Sequence, residues 1–268
     1  MNMQQHTSIL SRVCGLAGVW LCILCLTFVA PLMAAEPQTL TLKDWTGRGF
    51  APDLVNYTIP ARADGGKGLR VLDVDGKALP VQVTPAAEKG RATLSFVAAI
   101  PPGGTASYTL RADGQGPEAL AAVSATKEGD TLVLANRQLA VKVPAPQEKS
   151  FNTPTAANTL PAPILAFRGP EGAWRGAGAL LLKRPVKKFT VTQTANGPVF
   201  VEVRYRLDYD GGGYYQAEVR VTDRAPFAQV REEYDLGIET DTDFWQLDLS
   251  KGWQTGPISS TYSTCSRR

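Results

Sequence analysis

The sequence predicts an all-β protein that follows an apolar N-terminal leader. Beyond residue 35, apolar and polar residues alternate with a period of two, turn residues separate the alternating segments, and no segment keeps a helical period for three turns. We expect a leader helix over residues 1–35, a small β-sandwich or barrel over 36–117, a partial β-sandwich over 122–250 and an irregular tail over 251–268.

The leader has the pattern of a secretory signal peptide. Arg12 is its one charged residue, and the uncharged run 13–35 ends in the small residues Ala34 and Ala35, where we expect cleavage. Because this run is long for a signal peptide, an uncleaved membrane anchor is the alternative. Both interpretations predict export to the periplasm or the cell exterior, with a membrane contact only where the leader is kept.

Cleavage of the leader removes residues that several kinds of catalysis and metal binding require. Cleavage takes away His6, the only histidine, and leaves Cys265 as the last of four cysteines. A chain without imidazole has no Ser-His-Asp or Cys-His catalysis, no histidine base and no His-ligated zinc, and one thiol forms no internal disulfide. The 28 basic and 25 acidic residues nearly balance and are scattered, unlike the charge of a nucleic-acid binder. We therefore expect neither a cofactor nor a nucleic-acid partner.

Turn chemistry divides the first region into short strands. The pair Asp75-Gly76 favours a tight hairpin, and the Pro-Pro-Gly-Gly break at 101–104 predicts a second hairpin. The expected strands are 54–59, 69–74, 78–83, 93–98 and 106–111.

The second region begins after the turn-rich segment 113–117. A long hairpin dominates it: the strand from Val199 to Tyr209 and the strand that resumes at Tyr215 each place apolar residues on one face, around a loop at 211–213. The Pro-, Thr- and Asn-rich stretch 144–163 predicts a long surface loop. The other expected strands are 131–136, 138–143, 164–168, 179–183, 189–194, 228–236 and 244–249.

Four short motifs of this region follow one another in a recognisable order. They are LANRQLAV at 134–141, GAWRG at 172–176, NGPV at 196–199 and EEYDL at 232–236. In this order they resemble the galactose-mutarotase-like supersandwich of bacterial polysaccharide lyases and glycoside hydrolases, over residues 122 to about 249. The region 36–117 resembles the small β-domain that precedes it in secreted rhamnogalacturonan-lyase-like proteins. Because the resemblance implies a longer sandwich and a separate catalytic domain, and because 261–268 has no strand pattern, we interpret the chain as an N-terminal fragment.

Aromatic side chains near turns are the candidate binding residues. Trp174, Tyr214 and Trp245 are placed where exposed rings stack on sugars, although strands also use such residues to fill cores. The adjacent acids Glu232 and Glu233 point to opposite faces of a strand, so they cannot flank one glycosidic bond. We therefore expect no catalytic residue in this chain.

The acidic segment 239–243 offers oxygen ligands but lacks the spacing of a calcium loop, so we expect a solvated loop and no metal site. The glycines at 211–213 form a hairpin loop, since no helix follows that would bind phosphate.

These observations predict an exported, non-catalytic β-sandwich portion of a carbohydrate-active protein, acting as a scaffold or glycan-contacting module with a polysaccharide as partner. The alternatives are a cell-surface carbohydrate-binding or adhesion module, and a fragment of a polysaccharide lyase in which Arg and Tyr replace histidine. We also expect self-association through an open sheet edge near 244–249.

Overall fold

A computed structural model of the chain describes residues 37–113, 122–170, 172–236 and 244–249. Over these residues the fold is all-β and sandwich-like, with 18 strands in five antiparallel sheets and one turn of 3-10 helix at Ala157–Thr159. The predicted all-β class is therefore confirmed. The leader, the acidic segment 239–243 and the tail 251–268 lie outside the described residues. Within the described part, no helix is long and apolar enough to span a membrane.

The first region consists of two sheets that enclose one hydrophobic core. Phe96 is at its centre, fully buried, and its ring lies 6.0 Å from that of Tyr57 and 5.2 Å from that of Tyr108. The first sheet has the order β1 (Gln38–Lys43), β7 (Thr105–Ala112), β3 (Leu69–Leu72) and β4 (Ala78–Leu79), and the second has β2 (Phe50–Pro60), β6 (Arg91–Ile100) and β5 (Gln82–Pro85).

Two predictions for this region are wrong about which strands belong to the same sheet. The hairpin at Asp75-Gly76 is confirmed, because β3 pairs with β4 and Gly76 has φ 76°. The expected strand 78–83 instead divides into β4 and β5 in different sheets, at Pro80, which has no N–H to donate. The segments 93–98 and 106–111 do not form a hairpin either, since β6 and β7 belong to opposite sheets. The Asp44 carboxylate accepts the Gly103 amide at 2.8 Å and fixes the connection in this open form.

The second region is a larger sandwich with an added two-stranded ribbon. Its five-stranded sheet contains the predicted hairpin, in which Phe200–Tyr209 pairs with Tyr214–Thr222 over nine residue pairs. One sheet has the order β12 (Ala166–Arg168), β10 (Ala140–Pro144), β9 (Thr131–Ala135) and β8 (Ser124–Glu128). The five-stranded sheet has β11 (Gln147–Ala156), β14 (Pro185–Asn196), β15 (Phe200–Tyr209), β16 (Tyr214–Thr222) and β17 (Ala228–Asp235), and the ribbon pairs β13 (Ala177–Leu180) with β18 (Trp245–Asp248).

The predicted surface loop 144–163 is also wrong, because ten of its residues form β11. This strand pairs with β14, and its register shifts between Ser150 and Thr155, around Pro154. A proline is tolerated in a strand that lies last in its sheet and carries a bulge. None of the ten residues of β11 is buried and five are exposed, so the strand is polar and its composition resembles that of a loop.

The hairpin faces of the sequence prediction are confirmed by burial. Tyr205, Leu207 and Tyr209 of β15 and Tyr215 of β16 are at most 1% exposed and belong to one core cluster. Full burial of a large apolar side chain stabilises the fold by about 1.5–3 kcal/mol, which makes this face the main contributor to the second core.

The two cores meet at one end of β15. Val97 of the first region packs with Val199 and Phe200, at the start of the hairpin. The side chain of Gln82, 7% exposed, accepts hydrogen bonds from the Val199 amide at 3.2 Å and from the Phe200 amide at 3.0 Å. A Cβ at Gly197 would lie 2.4 Å from Gln82 Cδ, so only glycine permits this approach.

Candidate functional site

A carboxylate surrounded by aromatic rings lies between β17 and the β13–β18 ribbon. Glu232 Oε1 accepts a 2.7 Å hydrogen bond from the indole of Trp245 and a second, short one from the hydroxyl of Tyr215. The Tyr215 ring stacks on Phe244 at 4.7 Å, and Phe244 also packs at 4.8 Å against Tyr234, which is 54% exposed. We call these five residues the Glu232 cluster.

The position of this cluster follows from strand parity. In the pairing of β16 with β17, Glu232 is opposite Ala217 and Tyr234 is opposite Tyr215. Glu232 and Tyr234 therefore lie on the same face of the sheet as the residues of the hydrophobic core. At this end Glu232 and Tyr234 are exposed, and Trp245 of the short strand β18 bonds to Glu232. A surface that starts as core packing therefore ends as an open aromatic site.

The two tyrosines beside the acids stay protonated at neutral pH. Burial raises the pKa of Tyr215 far above its ordinary value, and the hydrogen bond to Glu232 raises this pKa further. The pKa of Tyr214 is also raised, first by its hydrogen bond to Glu233. Each hydroxyl is therefore a proton donor to a carboxylate rather than a base that abstracts a proton.

The neighbouring acids diverge, as the sequence predicts. Glu233 Oε1 accepts the Tyr214 hydroxyl at 2.6 Å on the outer face of the sheet, whereas Glu232 bonds Tyr215 on the inner face. Two of the three predicted binding residues, Tyr214 and Trp245, thus lie on opposite faces. They do not form one site.

The outer face around Tyr214 is a ladder of paired charges. The Arg206 guanidinium lies 4.0 Å above the Tyr214 ring and bonds Asp208 at 2.9 Å. Because each of these cations has an acid beside it, the ladder has little net charge to attract an ionic ligand. Its other pairs are Arg204 with Glu218 at 2.8 Å and Arg220 with Glu202 at 2.7 Å between Nε and Oε2.

Trp174, the third predicted residue, lies apart from both places. Its ring is half-buried, with Lys142 Nζ 4.5 Å and the Arg168 guanidinium 4.6 Å from its centre. Lys142 also pairs with Glu128 at 3.3 Å. These cation–π contacts hold the ring against β10 and β12 and stabilise the local packing.

Sequence reasoning missed Tyr234 and Phe244 as members of the Glu232 cluster. The alternation of β17 already placed Glu232 and Tyr234 on the face of Tyr215, but the approach of Phe244 depends on the long-range pairing of β13 with β18. Among the described residues, no group of three or more acids, cysteines or histidines is placed to hold a metal ion. Comparison with protein-family models finds no matching family, and comparison with curated proteins finds no matching relative.

Proposed function

We propose that the chain is an exported, non-catalytic β-sandwich portion of a carbohydrate-active protein, and that it contacts glycan through the Glu232 cluster. The observation that supports this proposal is the 2.7 Å bond from Trp245 to Glu232 beside the exposed ring of Tyr234. Aromatic rings stack on the apolar faces of sugars, and a carboxylate oxygen accepts sugar hydroxyls. Among the described residues both hydrogen bonds to Glu232 use Oε1, which leaves Oε2 to accept a ligand hydroxyl.

The bonds inside the cluster also favour a rigid binding site. The Glu232 side chain is held by two donors, and Tyr215 is fixed between the core and Phe244. A preorganised acceptor loses little entropy when a ligand binds, so a small site can still select its ligand. The supersandwich-like fold suggested by the sequence motifs agrees with this role, and we retain it as part of the proposal.

The geometry favours binding over cleavage. Hydrolysis needs two carboxylates that face each other across a bond, and elimination needs a base near the acidic proton. Glu232 and Glu233 point apart, while Tyr214 and Tyr215 both have raised pKa values. A lyase mechanism with tyrosine as the base would need a lowered pKa instead.

Binding and turnover are tested together on a panel of neutral, pectic and uronic-acid-containing glycans. Affinity electrophoresis and calorimetry measure binding, and reducing ends and unsaturated-product absorbance measure cleavage. We expect Trp245→Ala and Glu232→Gln each to weaken binding at least about tenfold, which corresponds to about 1.4 kcal/mol. Trp45→Ala is the matched control, because Trp45 is 83% exposed and lies in the first region.

Two results would contradict the proposal. One is unchanged binding in Trp245→Ala and in Trp245→Phe, a variant that keeps the packing but loses the indole N–H. The other is sustained turnover that disappears in Glu232→Gln or Tyr214→Phe.

A further inference from the structure

A second concave site opens at the end of the larger sandwich, between its two sheets. The pocket has a volume of about 370 Å³, which is within the range of small-molecule binding sites. It is formed by the turn between β8 and β9, the turn between β10 and β11, the first residues of β11, and the chain before β12. No residue of the Glu232 cluster lines it.

The pocket floor is held by main-chain hydrogen bonds. Pro144 and Ala145 are buried, and the Ala145 amide donates to the Asp130 carbonyl at 2.9 Å. On the other side the Leu165 amide donates to the Lys142 carbonyl at 2.8 Å. Prolines in the lining restrict the backbone further, so the concavity is largely preformed.

Two lysines from opposite sheets line this pocket. Lys127 belongs to β8 and Lys149 to β11, and both are exposed. The acid that follows Lys127 in the chain, Glu128, is bound to Lys142 at 3.3 Å, and the acid that precedes Lys149, Glu148, is bound to Lys188 at 2.8 Å. These two sequence-adjacent carboxylates are therefore already paired with other cations. Within the described part of the chain, neither pocket lysine has an ion-pair partner.

The remaining polar groups suit a hydroxylated ligand. Asp130 is the one acid among the lining residues. The lining therefore contains two cationic side chains and one carboxylate. Gln147 and Thr131 add an amide and a hydroxyl. Such a lining offers donors to an anionic group and acceptors to hydroxyls.

We propose that this pocket binds an anionic sugar residue, with its carboxylate or sulfate group held by Lys127 and Lys149. That the ligand is a sugar rests on the proposed function, whereas its negative charge rests on the two lysines. The site is separate from the Glu232 cluster, so a charged glycan that binds the chain would have two contact points.

The test is calorimetric and NMR titration of the full protein with four probes: digalacturonate, a sulfated disaccharide, cellobiose and inorganic sulfate. We expect at least one charged disaccharide to bind at least tenfold more tightly than cellobiose, with affinity falling as salt rises. The comparison of digalacturonate with the sulfated disaccharide distinguishes the two anionic groups. The double variant Lys127→Met/Lys149→Met keeps the side-chain stems and should lose this binding at least tenfold. Lys89→Met/Lys187→Met, at two exposed lysines elsewhere, is the matched control.

Lysine acetylation followed by mass spectrometry locates the ligand: the bound probe should protect Lys127 and Lys149 but not Lys89 and Lys187. Equal binding of cellobiose would overturn the requirement for an anion, and sulfate binding as tightly as both charged disaccharides would overturn the sugar. Loss of charged-sugar binding in Trp245→Ala but not in the double lysine variant would overturn this pocket and leave the proposed function intact. Absence of binding by all four probes overturns the pocket proposal as well.

Discussion

Replacement of Gln82 by leucine tests how strongly the two cores depend on each other. Gln82 Oε1 is the acceptor for the amides of Val199 and Phe200, at 3.2 and 3.0 Å, and those residues are 1% and 4% exposed. Leucine has a similar volume but no acceptor, so both amides would lose their partner in a buried place. Each unsatisfied buried amide costs about 1–3 kcal/mol. Because the 3.2 Å bond is the weaker one, we expect a loss of about 3 kcal/mol in the free energy of unfolding.

The assay is equilibrium unfolding in urea, followed by tryptophan fluorescence and by far-ultraviolet circular dichroism. A loss of this size is a large part of the stability of a typical domain, so the midpoint should fall clearly. Gln246→Leu is the matched control, since Gln246 is exposed on β18, and it should change the free energy of unfolding by less than about 0.5 kcal/mol.

The slope of the transition gives a second outcome. If Gln82 couples the cores, Gln82→Leu should broaden the curve or divide it into two steps, because the cluster around Phe96 and the cluster around Tyr205 then unfold separately. A variant as stable as Gln246→Leu, with an unchanged slope, would refute the reasoning. It would mean that the two amides find water or another acceptor.

Two further predictions concern the backbone and a loop. A Cβ at Gly178 would lie 1.7 Å from the Ile164 carbonyl oxygen, so we expect Gly178→Ala to lower the free energy of unfolding, measured by thermal unfolding, by about 3 kcal/mol. Gly169→Ala is the control and should be near neutral, because nothing lies within 4 Å of a Cβ at Gly169. Equal melting temperatures for the two variants would disprove the close approach at Gly178. Hydrogen bonds from the Gly103 and Gly49 amides hold the pKa of Asp44 well below its usual range, so its stabilisation is complete above the unfolded pKa of about 3.9 and is lost as the pH falls further. Asp44→Asn should therefore lower the urea midpoint at neutral pH and make the midpoint less sensitive to a fall in pH. A midpoint that falls with pH as steeply as that of the parent protein would contradict this prediction.

The positions of most strands were predictable from the sequence, but which strands pair with each other was harder to predict. The period of two fixes which face of β15 and β16 is buried, because a shift of one residue would expose Tyr205 and Leu207. The same local pattern does not say which sheet a strand joins, so β6 and β7 were expected to pair although they lie in opposite sheets. β11 was missed because a polar, proline-containing edge strand has the composition of a loop.

The candidate sites were predictable only in part, for a similar reason. Trp245 and the inward face of Glu232 follow from residue type and alternation, which are local. Tyr234 follows from the same alternation, whereas Phe244 joins the cluster only through the pairing of β18 with the distant β13. Lys127 and Lys149 lie on strands of different sheets, and only the packing of those sheets places them in one pocket. A site that depends on packing between distant segments cannot be predicted from the pattern of one short segment.

The outer face of the five-stranded sheet changes its role along β15, and this change limits where a ligand can bind. At Phe200 the first region covers the face, and the Arg220 guanidinium lies 4.4 Å above the Phe200 ring while it bonds Glu202, which is 8% exposed. The ladder of charges therefore begins where the hydrophobic junction ends, and its first pair shields the edge of that junction from water. A ligand that bound there would have to break a largely buried ion pair, which is costly. Among the described residues, neither the Glu232 cluster nor Lys127 and Lys149 of the pocket would have to break an ion pair, so binding is expected on the inner edge and at the sandwich end rather than on the charged face.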